Sequence, residues 1–599
     1  MTSIISSLSI KQISSLSTSS IALLKSTDVD ALSSSQIAAL SSTQLNALTT
    51  SAVNSLNSAQ ISAITAKAVI GLTVPQLQAI ESAQFAGLTA GQVSALSTTQ
   101  FDALSSGTIA LLDTKQVAAL TSAQVATLSS AELNSFTTAE IAAINVASLA
   151  GISSTTLASL STANFAALGA AQIAKLSTAQ IGAVTSAQVD VLTTGQIAGL
   201  TAAQVKTITT AALSALDTAQ VAAFAPTQIT ALTTEQLQSF NSANIAALTS
   251  KQASALTSAQ VATLSSAELN TFDSSEIKAL SAAALAGMTT DAVAGLTTAA
   301  LTAFSATQVA TLSTTQIASL KSTQIRELTT DQVKALTAKQ VAAITTASIA
   351  NLKSEQVVAL SNAQLVALST DQLQAFASAN ITALTTTQAG ALTSAQVATL
   401  DSAELNSFST AEIAAINVAS LAGISSTTLA SLSTANFAAL GAAQIGKLST
   451  AQIGAVTSAQ VDVLTTGQIA GLTAAQVKTI TTTALSALDT AQVAAFAPTV
   501  IAALTTDQLQ SFNTANIAAL TTTQVAALTS AQVATLNSAE LNSFSTGEIA
   551  ALGISALAGL TTAAISGLTD ATIEALSTKQ KQALNNDQVA AVLAAYNNV

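Results

Sequence analysis

The sequence predicts an all-α solenoid. Three observations predict it: an eight-residue period that holds its phase along the chain, a helix-capping signature inside the period, and a composition with little else to build from. With position 8 placed on residue numbers divisible by eight, that position is Leu, Ile, Val, Phe or Met at all 74 places up to Val592. Position 5 is nearly as strict, with Ala253, Ala389 and Lys581 as its exceptions. Position 4 is mostly Gln or Glu, position 1 mostly Ser or Thr, and position 7 usually small. The consensus is T-[ST]-A-Q-[IV]-A-A-L.

Each unit reads as one short capped helix. In Thr121–Leu128 (TSAQVATL), Thr121 is placed to accept from a first-turn N–H, and Gln124, three residues on, to accept from the N–H of the cap. Leu120 before the cap and Val125 after it occupy the two positions of a hydrophobic staple. Pro226 and Pro498 fall at position 2, the first helical residue, and Pro75 at position 3. Glycine recurs at position 7, as at Gly71, Gly87, Gly151 and Gly287, which predicts a helix end there. Small residues at position 7 also let neighbouring helices approach closely.

Two other folds fail. In one continuous helix, eight residues overshoot two turns by roughly 80°, so the apolar stripe would spiral away from any partner. A β-solenoid needs period-two alternation, whereas the apolar spacings here alternate three and five. A single unit cannot stand alone. Its two large apolar side chains contribute about 1.5–3 kcal/mol each, against about 1–2 kcal/mol of backbone entropy for every residue ordered. Neighbours and caps must supply the rest.

A second period lies above the first. TSAQVATL begins at Thr121, Thr257, Thr393 and Thr529, steps of 136 residues or 17 units. The next unit recurs with it, as SSAELNSF, SSAELNTF, DSAELNSF and NSAELNSF. The expected organisation is one continuous array over 1–592, with super-repeats near 121–256, 257–392, 393–528 and a partial one at 529–599. Residues 593–599 form a tail.

Composition excludes most chemistry. The 599 residues contain no Cys, His or Trp, which removes thiolate sites and the usual general base. We expect no enzyme, no cofactor and no metal. Net charge is −12 and the 17 Lys and Arg are scattered, so no basic face for nucleic acid is expected. No run of 18 apolar residues suggests a membrane span. Glu132 and Glu140, like Glu404 and Glu412, sit at position 4 of adjacent units and read as capping residues in place of Gln. The Ser/Thr rows at positions 1 and 2 read first as caps. Their regularity also suits an ice-binding or adhesive surface.

The two ends differ. Lys579, Lys581, Asn585 and Asn586 make the C-terminal units polar, as a solenoid cap should be. The first units carry Ile4, Ile5, Leu8, Ile10 and Ile13 with no charged residue before Lys11. An apolar end is an association site, and a contact that does not close on itself yields a filament.

The string L-T-x-x-Q, at Leu120–Gln124 and Leu464–Gln468, resembles the motif of the LTxxQ family of periplasmic chaperones, which carries it twice on long helices. No chaperone activity is carried over from so local a match. Over its whole length the chain resembles the large, acidic, Cys-free repetitive surface proteins that Gram-negative bacteria export by type I secretion. Its start, MTSIISSLSIKQISSL, lacks a signal-peptide pattern, and its end, NNDQVAAVLAAYNNV, is compatible with that route. This resemblance implies an extracellular or cell-surface protein, exported without a cleaved N-terminal signal, of the surface-layer or filament type. Its expected partners are further copies of itself and cell-surface polysaccharide. The alternatives are a rod-like adhesin or ice-binding protein using the Ser/Thr face, and an intracellular scaffold.

Overall fold

The structure, a computed structural model, describes residues 4–597. Nearly every unit forms one α-helix of four to six residues, as in Ser122–Val125 and Thr138–Ala143. No strand occurs among the described residues. The N-cap is extended (Thr121, φ −76°, ψ 158°) and its hydroxyl oxygen accepts from the Gln124 N–H. Position 8 is also non-helical (Leu120, φ −58°, ψ 134°), so two extended residues in succession turn the chain between helices. The expected capping box and staple positions therefore form as the spacing implies.

Within residues 4–304, and again within 305–597, helices pack on the third element further along the chain. Ala90–Ala95 lies against Thr114–Ala119, and Thr114–Ala119 against Thr138–Ala143. Further on, Ala306–Thr311 packs on Thr330–Ala335 in the same way. Three units thus make one turn of an α-solenoid with three sides. Positions 5 and 8 of all three sides fill its core, as Val125 (0% exposed) and Leu128 (5% exposed) do. Contacts gather the chain into two units, Met1–Phe304 and Ser305–Val599, each built this way.

The position-7 glycines have another cause than helix termination. No described residue adopts a positive φ, so no left-handed cap is present. Position 7 sits instead on position 2 of the preceding turn. A Cβ at Gly87 would lie 2.7 Å from the Ser58 carbonyl oxygen, and one at Gly71 would fall on that of Ser42. Close approach, not backbone conformation, selects glycine there.

The last helix breaks the pattern. Asn586–Asn597 runs for 12 residues, passes Val592 without a turn, and packs on Thr562–Ser566.

Candidate functional site

The most regular chemical feature of the fold is a buried row of glutamines. Gln124 is 1% exposed and uses both ends of its amide. Its Oε1 accepts from the Thr121 N–H (3.0 Å), closing the capping box. Its Nε2 donates to the Val93 carbonyl (2.7 Å) and the Leu96 carbonyl (2.9 Å), one turn earlier. Gln92, Gln188, Gln260, Gln396 and Gln532 make the same cross-turn pair. The row works as a ladder. Each amide joins a helix start to the carbonyls that end a helix below it, and its reach matches three units per turn. Such a buried, satisfied network fixes register, because any slip would leave several polar groups unpaired at once.

The glutamates at position 4 sit differently. Glu132, Glu140, Glu404 and Glu412 are half-buried, whereas the glutamines are buried. Each still accepts from its cap N–H, as Glu132 Oε2 does from Ser129 and Glu140 Oε2 from Thr137 (both 2.8 Å). A carboxylate has no proton to give the carbonyls below, so the cross-turn half of the glutamine's role is lost. Glu132 Oε1 accepts from Ser106 Oγ instead (3.2 Å). The capping role expected of these residues is present, and nothing joins them into an acid–base pair.

Sequence reasoning missed an asparagine at position 6. Asn134 Nδ2 donates to the Ser159 carbonyl (2.9 Å), and its Oδ1 accepts from the Ser161 N–H (2.8 Å). Asn270, Asn406 and Asn542 do the same for Gly295 and Thr297, Ser431 and Ser433, and Gly567 and Thr569. In each case the N–H so satisfied belongs to a unit whose position 4 is not Gln: Asn164, Ala300, Asn436 or Thr572. These side chains are too short to reach back to their own cap, and an asparagine from the turn below replaces them. The recurring AELN string was the available signal.

The end residues separate into exposed and buried. Ile4 and Ile10 are exposed (82% and 53%), and Leu23 of the same turn is 81% exposed. Ile5 and Leu8 are half-buried, while Ile13 is fully buried in the chain's own core. At the other end Lys579, Lys581, Asn585 and Asn586 are exposed. Asn585 caps the last helix by accepting from the Gln588 N–H (2.9 Å), and Lys581 Nζ donates to the Glu574 carbonyl (3.4 Å). Val589, Leu593 and Tyr596 on that helix are exposed.

Hydroxyls at position 1 are largely used in caps, as at Thr121, Ser129 and Thr393. The ion pairs, Lys353–Glu327 (3.4 Å) and Lys334–Asp331 (3.8 Å) among them, lie at the surface, where such pairs contribute about 0–1 kcal/mol. Among the described residues no group of three or more Asp or Glu gathers as a metal site would require, and no helix is long and apolar enough to cross a membrane.

The ALTTAQ repeat matches nine segments: 21–56, 77–114, 93–130, 175–202, 231–266, 317–346, 365–402, 446–474 and 501–538. Together they cover just under half of the chain. Its six letters correspond to positions 7, 8, 1, 2, 3 and 4 of the unit, as in Ala119–Gln124 (ALTSAQ), and so include both the cap and the ladder glutamine. No curated protein gives a significant match. The chain is a helical repeat protein, similar over those nine segments to the ALTTAQ repeat.

Proposed function

We propose that this protein is a self-assembling structural subunit of an extracellular layer, sheath or filament. The observation that carries the reading is where apolar surface is left uncovered. In the inner turns, positions 5 and 8 are buried. The first turn exposes three large apolar side chains (Ile4, Ile10, Leu23) and the last helix three (Val589, Leu593, Tyr596), whereas six others, Ile70, Leu111, Val191, Val358, Val366 and Ile554, are distributed over the long array between. Paired apolar ends suit association of one copy with the next.

The super-repeat favours this reading over a one-sided adhesin or ice-binding face. Seventeen units amount to five turns and two further units. Within Met1–Phe304, the related units Ser129–Phe136 and Ser265–Phe272 therefore fall on different sides. Duplication kept the eight-residue phase and not the three-sided one. It preserved the core without enriching any one surface.

The test replaces the two most exposed first-turn residues, Ile4→Lys with Leu23→Asp, and follows assembly by sedimentation. The expected result is loss of the heavy species with an unchanged helical circular dichroism spectrum. A variant that assembles like the parent would overturn the proposal.

A further inference from the structure

The first turn departs from the repeat's own pattern once in each of its three units. Position 4 carries Ile4, where most units have Gln or Glu. Position 2 carries Ile10; it is Ser or Thr in most units and isoleucine again only at Ile554. Position 7 carries Leu23, where small residues prevail and leucine recurs only at Leu111. All three side chains are exposed. One unit forms each side of the solenoid, so every side of this turn presents one of them. Two of the three point along the axis. Elsewhere position 4 reaches the preceding turn, as Gln124 does to the Val93 and Leu96 carbonyls, and position 7 sits on it, as Gly87 does on Ser58. Ile4 and Leu23 hold these positions in the first turn and so project from its end face.

Neutral polar groups accompany them. Gln12 spends its Oε1 on the Ser9 N–H (2.8 Å) and is exposed, as are Ser7 and Ser15 at position 7. Lys11 is the only charged side chain in residues 4–24. The last turn is unlike this. Its exposed large apolar residues, Val589, Leu593 and Tyr596, lie on the single helix Asn586–Asn597. The helices of its other two sides, Asp570–Ala575 and Thr578–Ala583, expose Glu574, Lys579 and Lys581. Lys581 stands at position 5, a core position in other units. An apolar end face seated on that turn would take these charges out of water without partners, a cost that apolar contact does not repay. The surface of this chain that matches an apolar, nearly uncharged end is the same end of another copy.

We infer that the first turn is a head-to-head interface: it pairs with the first turn of a second copy across a twofold axis, Ile4, Ile10 and Leu23 of each chain meeting the same three of the other. The inference rests on the self-assembly reading and names one of its contacts. An apolar centre with an amide and hydroxyl rim is the usual anatomy of such a surface. The contact is isologous and closes at two chains. The pair, not the single chain, is then the building unit. Growth beyond the pair uses a different surface, and an assembly made of such pairs has no polarity along their axis.

The chain has no cysteine, so single introduced thiols report on the contact directly. Full-length Leu23→Cys, Ser15→Cys, Leu593→Cys and, as an exposed control within the array, Ala299→Cys are treated with a short homobifunctional maleimide under assembling conditions. Leu23→Cys and Ser15→Cys should each give several-fold more cross-linked dimer than Ala299→Cys. A mixture of Leu23→Cys with size-tagged Leu593→Cys should give no linked pair between the two. Ser15→Cys leaves Ile4, Ile10 and Leu23 in place, so its dimer alone decides the matter if Leu23→Cys weakens the contact. Linkage only between Leu23→Cys and Leu593→Cys, or no dimer above the control while the parent sediments as an assembly, would overturn the head-to-head contact and leave self-assembly standing. A parent that sediments as a monomer at every concentration would overturn both.

Discussion

At Gly71 a single missing methyl decides whether one turn can seat on another. Gly71→Ala puts a Cβ on the Ser42 carbonyl and should cost about 1–3 kcal/mol, as overpacking does. Gly91, inside Ala90–Ala95, has nothing within 4 Å of its would-be Cβ. Gly91→Ala should therefore stabilise the protein by about 0.5–1 kcal/mol. Thermal melts of the two variants should shift in opposite directions, and equal shifts would refute the close-approach account. Asp273 shows a second effect of one residue. Its carboxylate caps a helix by accepting from the Glu276 (3.1 Å) and Ser275 (2.6 Å) N–H groups, and these bonds hold its pKa below that of an ordinary aspartate. Because the folded value is the lower one, the cap's stabilisation is present above the unfolded value and is lost as pH falls through the folded one. An NMR titration should find the Asp273 midpoint below that of an aspartate in the unfolded chain.

One unit is the quantum of this fold, so phase should matter more than length. Deleting Thr393–Leu400 removes one cap, one ladder amide and one pair of core residues, and rejoins the chain in register. Only the three units after the cut then seat on a different earlier unit, and small residues at position 7 make that tolerable. Deleting Thr393–Gln396 puts polar residues at core positions. The first deletion should keep a cooperative melt within a few degrees of the parent by the scale expected for a small change in stability. The second should lose helical signal in the adjoining turns. Equal losses would reject the octad as the structural element. The octad, its cap and its buried positions were legible because they repeat within hydrogen-bonding reach along the chain. Three units per turn was not, since it shows only in contacts between distant helices such as Ala90–Ala95 and Thr114–Ala119. The asparagine staple was hidden for the same reason: Asn134 and Ser161 are far apart in sequence and conform to no local motif. The recurrence of glycine at position 7 was legible, but its cause was not. Only the stacked turn distinguishes a left-handed cap from a crowded contact.

For the whole chain, stability should grow with the number of consecutive glutamine-tied turns. The ladder bonds of Gln124 span 28 and 31 residues, so each turn depends chiefly on its immediate neighbours. Such an array behaves as coupled identical units, each adding an intrinsic term and an interface term. Short pieces expose too much core to remain folded. Residues 441–536 comprise twelve units, four turns, and hold five glutamines whose cross-turn acceptors lie inside the fragment: Gln476, Gln492, Gln508, Gln524 and Gln532. Residues 97–192 have the same length but keep only three such glutamines, Gln172, Gln180 and Gln188. The core positions of the two fragments are equally apolar, so hydrophobic burial alone predicts similar melting temperatures. The ladder predicts otherwise: 441–536 should melt higher than 97–192. A six-unit piece, 457–504, should be the least stable of the three. Circular dichroism melts of these fragments separate the two accounts, and coincident curves for the twelve-unit pair would show that apolar packing, not the amide row, holds the turns together.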